Sequence, residues 1–294
     1  MNIKPTRMDK VVLTINYVLL YLAVLVILVP LVYVVIASFM EPTALLNKGI
    51  SFNLSDYSLE GYKLILSNEA MLRGFVNAVF YSSAFAFLTV AVSIFAGYSL
   101  SVDEFVGKKF FMTVFVFTMF FGGGLIPTFL VIKQLGMLNT VWAIIVPGAV
   151  SVWNIILART FFKGIPRELN EAAKVDGASE MLIFFRIVLP LSKPIIFVLA
   201  LYAFVGQWNS YFDAMIYLDN VKLYPLQLVL RSILVQNQID PGMITDRTAM
   251  AEMKRLSEII KYASIVISSL PLIVMYPFFQ KYFEKGVMVG SLKS

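Results

Sequence analysis

Six stretches of the chain contain no Asp, Glu, Lys or Arg: Val11–Met40, Gly74–Val102, Phe110–Ile132, Gln134–Ala158, Pro194–Phe212 and Tyr262–Gln280, with lengths of 30, 29, 23, 25, 19 and 19 residues. One ionised side chain near the middle of a bilayer costs about 2.5–3.5 kcal/mol on insertion scales, so uncharged runs of this length mark spans. At about 1.5 Å per residue each can cross about 30 Å of hydrocarbon. Together they take 145 of 294 residues, which leaves no stretch of ordinary domain size outside them. The expected fold is an all-α integral membrane protein, a single domain over 1–294. Its six transmembrane helices are placed at about 11–40, 74–102, 110–132, 134–158, 190–218 and 262–283. A mean hydropathy of +0.82, with 59% hydrophobic and 14% charged residues, agrees.

Lys and Arg set the orientation. With alternating spans, 14 of them fall on the side of both termini and 10 on the other, for net charges of +6 and 0, so both termini are expected in the cytoplasm. The basic excess thus records topology rather than nucleic-acid binding. The first run follows a short basic segment but is about twice the length of a signal-peptide core, and is read as an uncleaved helix. The chain has no Cys and no His. Disulfides, thiolate or imidazole metal sites and Ser-His-Asp or Cys-His catalysis are therefore excluded. No paired acids lie inside a span, so an enzyme is not expected.

The loop at 159–189, between the fourth and fifth spans, is the most informative connection. Pro166 suits a first helical turn, residues to Lys174 are good helix formers, and Gly177 supplies the left-handed residue that ends a helix. Ser179 can cap a second helix, which Pro190 and Pro194 bend toward the membrane. Ala172 and Ala173 leave a low-relief face for another protein's groove, and Glu171 and Asp176 offer carboxylates to a basic partner.

Glu171-Ala172-Ala173, then Asp176-Gly177-Ala178, then Phe184, Leu189-Pro190 and Pro194, resembles the EAA loop of the permease subunits of bacterial ABC importers. Gly123-Gly124-Leu125-Ile126-Pro127, Trp208-Asn209 with Asp213, Tyr224-Pro225-Leu226-Gln227, and Tyr276-Pro277-Phe278 with Gly286 to Lys293 are similar to the carbohydrate-uptake class. Within it the chain resembles the second permease of the maltose MalG type, and more closely the oligosaccharide permeases of Gram-positive bacteria. The likeness runs from about Val11 to Ser294; the family commonly ends Lys-Gly, whereas this chain ends Lys293-Ser294.

The resemblance implies a multi-pass cell-membrane subunit forming half of a pore with a second, different permease. Two cytoplasmic ABC ATPase subunits and an extracellular sugar-binding protein complete the complex; ATP and Mg belong to the ATPases and no cofactor to this chain. Glu171, Ala172, Ala173, Asp176, Gly177 and Ala178 would form the ATPase contact on a coupling helix. The same architecture also serves non-sugar solutes. The terminal Gly286–Ser294 lacks phosphate-loop spacing, and is either a free tail or one that touches the ATPases.

In the fifth span, Tyr202, Gly206, Asn209, Ser210, Asp213 and Tyr217 share one face of a continuous helix at 100° per residue. With Trp208 they are candidates for the substrate pathway, since polar groups at that depth face a bundle interior or a wet cavity. Helix–helix packing through Gly206, Ser210 and Asn209 is the alternative, and Trp208 and Tyr211 can equally be interfacial anchors. Gly122, Gly123 and Gly124 loosen the third span as a hinge, or pack closely against the partner permease.

Overall fold

A computed structural model describes residues 6–236 and 247–291, and every regular element among them is helical. In chain order these are α1 (Arg7–Ser38), α2 (Pro42–Lys48), α3 (Glu60–Ser67), α4 (Glu69–Ser101), α5 (Lys108–Phe120), α6 (Leu125–Gln134), α7 (Trp142–Ile145), α8 (Val152–Lys163), α9 (Arg167–Val175), α10 (Glu180–Ile183), α11 (Leu189–Leu191), α12 (Lys193–Trp208), α13 (Phe212–Tyr217), α14 (Leu226–Gln236) and α15 (Arg247–Ser291). A π-helical stretch, Phe184–Val188, joins α10 to α11. By length and apolarity α1, α4 and the Ser257–Gln280 part of α15 can each cross a membrane, and two bent pairs bring the number to as many as five.

The chain divides into two compact units. In the first, residues 1–68 and 233–269, α1 begins with a capping box in which the Thr6 hydroxyl accepts from the Asp9 amide. Its apolar side chains then point outward along nearly its whole length, as a lipid-facing helix requires. The segment after it is tied to α15. Arg255 donates to Glu41 at 2.8 Å and to Glu60 at 2.5 Å, and Gly61 lets α3 approach Ile259 so closely that a Cβ there would sit 2.7 Å from its Cγ2.

The second unit, residues 69–232 and 270–294, is organised around α4, which packs along α8 and α12. Gly97 makes the α4–α8 crossing possible: a Cβ there would lie 2.7 Å from the Ala158 Cβ and 3.0 Å from the Arg159 nitrogen. Two apolar cores flank the middle of α4. One gathers Ile94, Ala158, Phe162, Ile183, Phe184, Val188 and Leu199. The other gathers Tyr81, Ile132, Ala143, Ile144, Ile145, Ala214 and Tyr217 with their neighbours.

Several expected spans are not continuous helices. The run 110–132 breaks at Phe121–Gly124, where α5 and α6 meet at 115°. Gly124 adopts φ +81°, open only to glycine at low cost, and a Cβ on Gly122 would meet nothing within 4 Å. The break in this span thus falls at the glycine trio. The run 134–158 divides into α7 and α8 around Pro147 and Gly148, because proline at the end of α7 cannot continue the ladder. The stretch 190–218 bends by 74° at Ser192 and breaks again at Asn209–Tyr211. The expectation of one helical face from Tyr202 to Tyr217 is thereby corrected, since the chain leaves helical geometry after Trp208. α15 continues to Ser291, so Gly286 and Gly290 lie in helix; the last residues of the expected tail fall outside the described residues.

Candidate functional site: a capped surface helix and a polar cleft

The Ala-rich segment forms α9, with Pro166 one position ahead of the expected first turn, at the N-cap. The helix ends as its sequence requires. Gly177 takes φ +81°, its amide donates to the Lys174 carbonyl at 3.0 Å, and the Ala178 amide donates to the Ala173 carbonyl at 2.9 Å. Ser179 then caps α10 by accepting from the Leu182 amide at 3.3 Å.

The six candidate coupling residues divide between two faces. Glu171, Ala172, Asp176 and Gly177 are exposed, whereas Ala173 and Ala178 pack onto the Phe162–Phe184 core. Ala173 is therefore part of the seat that holds α9 to its own chain. Glu171 and Asp176 form no ion pair among the described residues and stand free for a partner.

The seat is fastened electrostatically at both ends, by residues that motif reading does not single out. Arg167, at the start of α9, pairs with Asp103 just past α4, and Asp103 also accepts from Lys108 at 2.8 Å. That hydrogen bond, followed by the Arg167 charge, holds the Asp103 carboxyl below the usual carboxylate range. Near the other end, Lys174 pairs with Glu180 at 2.7 Å, which raises the lysine's pKa, and the Tyr98 hydroxyl reaches Glu180 at 3.4 Å. A cavity of about 200 Å³ lies inside this ring of charges.

The second site is a cleft of about 310 Å³. Phe85 and Thr89 of α4, Gly148 and Ser151 of the α7–α8 break, Asn154 of α8, and Tyr202, Gly206, Gln207 and Ser210 from α12 onward line it. The Thr89 hydroxyl oxygen is buried without a hydrogen-bond partner among the described residues, so its donor and acceptor are left unspent within this chain. Tyr202, Gly206 and Ser210 are thus brought together as the shared-face reading expects. The other candidates lie elsewhere. Trp208 is only 1% exposed, stacked on Phe204 and edge-on to Phe75, in the core rather than at an interface. Asn209 turns its amide back to the Val205 carbonyl at 2.8 Å, and Asp213 lies exposed in the first turn of α13.

Among the described residues no group of His, Cys, Asp or Glu is placed to hold a metal ion.

Residues 70–289 match the family described as binding-protein-dependent transport system inner membrane component. The chain is 37% identical over 278 residues to the polygalacturonan/rhamnogalacturonan transport system permease protein YtcP of Bacillus subtilis, covering 94% of this chain and 96% of that one. It is 28% identical over 271 residues to the arabinooligosaccharides transport system permease protein AraQ of Halalkalibacterium halodurans, 90% of each. Among solved structures, a chain in the crystal structure of a bacterial ABC transporter involved in the import of the acidic polysaccharide alginate superposes with a TM-score of 0.83 at 30% identity, over 96% of this chain and 100% of that one.

Proposed function

The chain belongs to the family of binding-protein-dependent transport system inner membrane components, and on that premise we propose that it supplies half of the pore through which an ABC importer takes up a sugar oligomer. It is a permease subunit in the cell membrane. A second, different permease completes the pore, two ATPases drive it, and an extracellular binding protein delivers the sugar. The named relatives are permeases of a polygalacturonan/rhamnogalacturonan and of an arabinooligosaccharides transport system, and the likeness spans nearly their whole length.

One structural observation carries the pathway reading. The helix breaks at Gly148–Ser151 and at Asn209–Tyr211, which belong to different spans, both border the same polar cleft. Irregular backbone at membrane depth is tolerated where it lines a cavity or is buried in protein, because lipid cannot satisfy freed amides and carbonyls. With the two broken pairs counted as spans and the α7–α8 run 134–158 taken as a sixth crossing, both termini and α9 lie on the cytoplasmic side, and the whole chain works as one permease domain. α9 is the coupling helix: its exposed Glu171, Ala172, Asp176 and Gly177 seat in an ATPase, and the Asp103–Arg167 and Tyr98–Glu180–Lys174 links pass the motion to α4. The pore then rocks between inward- and outward-open states. Deleting this chain alone from its host should abolish uptake of a labelled oligosaccharide, and restoring it should return uptake; undiminished uptake would refute the reading.

A further inference from the structure

Arg231 carries a charge that no carboxylate among the described residues neutralises. It lies on α14, whose Leu226, Leu228, Val229 and Leu230 are buried, and is itself exposed. Its guanidinium carbon stands 4.7 Å from the centroid of the Tyr211 ring, and its Nη1 donates to the Met215 sulfur at 2.7 Å. Among the described residues it has no carboxylate partner, and Asp213, two residues beyond Tyr211, makes no ion pair with it. A ring face and a thioether hold a guanidinium through quadrupole and polarisability rather than opposite charge. The fork is therefore oriented in advance, with its charge and most of its N–H groups unspent.

Tyr211 sits in the break after α12, next to Ser210 of the cleft. α12 is 16 residues, about 24 Å, long; on the topology proposed above it starts at the cytoplasmic side, which carries the Arg231–Tyr211 pair toward the outer surface, one residue beyond the last lining residue of the cleft, Ser210. We propose that this pair is an anion-recognition point at the mouth of the pathway, and that the sugar carried bears carboxylates, as uronate oligomers do. The inference rests on the sugar-permease reading. A uronate carboxylate accepts two parallel N–H bonds from the fork, the geometry that favours arginine over lysine. A neutral sugar gives the guanidinium no counter-charge as the mouth closes and water leaves, and an uncompensated buried charge is costly. The site therefore both selects acidic oligomers and disfavours neutral ones.

The test uses host cells producing the full complex with the wild-type chain, Arg231→Gln or Arg231→Lys. They are given labelled trimers of galacturonate, mannuronate and guluronate beside neutral trimers of glucose, galactose and arabinose. At sub-saturating concentration the wild type should import at least one uronate trimer, and Arg231→Gln should lower that import about tenfold or more, the loss of one charge-assisted bidentate contact. Arg231→Lys should fall between them, neither variant should change the amount of complex in the membrane, and Arg231→Gln should raise the import of any neutral trimer that enters, because the uncompensated charge is gone. Import confined to neutral trimers, or uronate import indifferent to Arg231→Gln, would overturn the proposal. So would a loss equal for acidic and neutral trimers or a loss of complex, which would place a partner chain's carboxylate on Arg231. Import of none of the trimers, with or without this chain, would instead sink the sugar-permease reading.

Discussion

The Ala178 amide donates to the Ala173 carbonyl at 2.9 Å, closing the end of α9 over Gly177 at φ +81°. That bond fixes where the surface helix stops, and so which of its residues face outward. A β-branched residue at Gly177 must leave the left-handed region or bear about 1–2 kcal/mol or more of strain. Gly177→Val should therefore reduce sugar uptake at least tenfold while the permeases remain in the membrane. Normal uptake by this variant would remove the helix-end geometry from the mechanism.

Asp103 and Arg167 supply a second test of the same link. Because the carboxyl's pKa is depressed, the interaction is present above the unfolded-state value and is lost only as pH falls below about 4. Between pH 6 and 8 the Asp103–Arg167 link should give uptake no pH dependence. Asp103→Arg should lower the sugar imported per ATP hydrolysed, and Asp103→Arg with Arg167→Asp should recover part of it. Equal ratios in the single and double variants would contradict the link.

At the α4–α8 crossing, Gly97→Leu forces a side chain into the space held by Ala158 and the Arg159 backbone. Overpacking of this kind costs about 1–3 kcal/mol. The purified complex should lose several degrees in Tm and show less folded protein in the membrane; an unchanged Tm would mean the two helices separate more readily than the packing implies.

Thr89→Val separates packing from transport. The hydroxyl has no partner among the described residues, so its removal should leave stability unchanged or raise it by about 1 kcal/mol. If the cleft carries sugar, the concentration giving half-maximal uptake should rise several-fold. Unaltered uptake kinetics would make the cleft a packing defect.

These sites were legible in the sequence to different degrees for physical reasons. Helix caps are local, so Gly177 and Ser179 announce the ends of α9 and α10 from composition alone. An uncharged run reports only freedom from ionised groups, and says nothing about helix continuity. The division of 134–158 had a local signal in Pro147 and Gly148. The break after Trp208 had none, because it accompanies the burial of that indole between Phe75 and Phe204, residues from two different helices. The cleft joins Thr89, Asn154 and Gln207 across more than a hundred residues of chain, and Asp103 meets Arg167 across 64. No spacing rule reaches that far. The shared face stops at the same break: Asn209 still closes α12 onto the Val205 carbonyl, but beyond it the 100° wheel no longer applies, so Asp213 and Tyr217 leave the face.

The most direct test of the account exploits the absence of cysteine from this chain. A thiol placed at exposed Ala172 should cross-link to an ATPase subunit in the assembled complex and arrest uptake, and reduction should release both. A thiol at Ala173, which faces its own core, should not. Cross-linking at neither position, or at Ala173 but not Ala172, would contradict the claim that the outward face of α9 is where the motor takes hold.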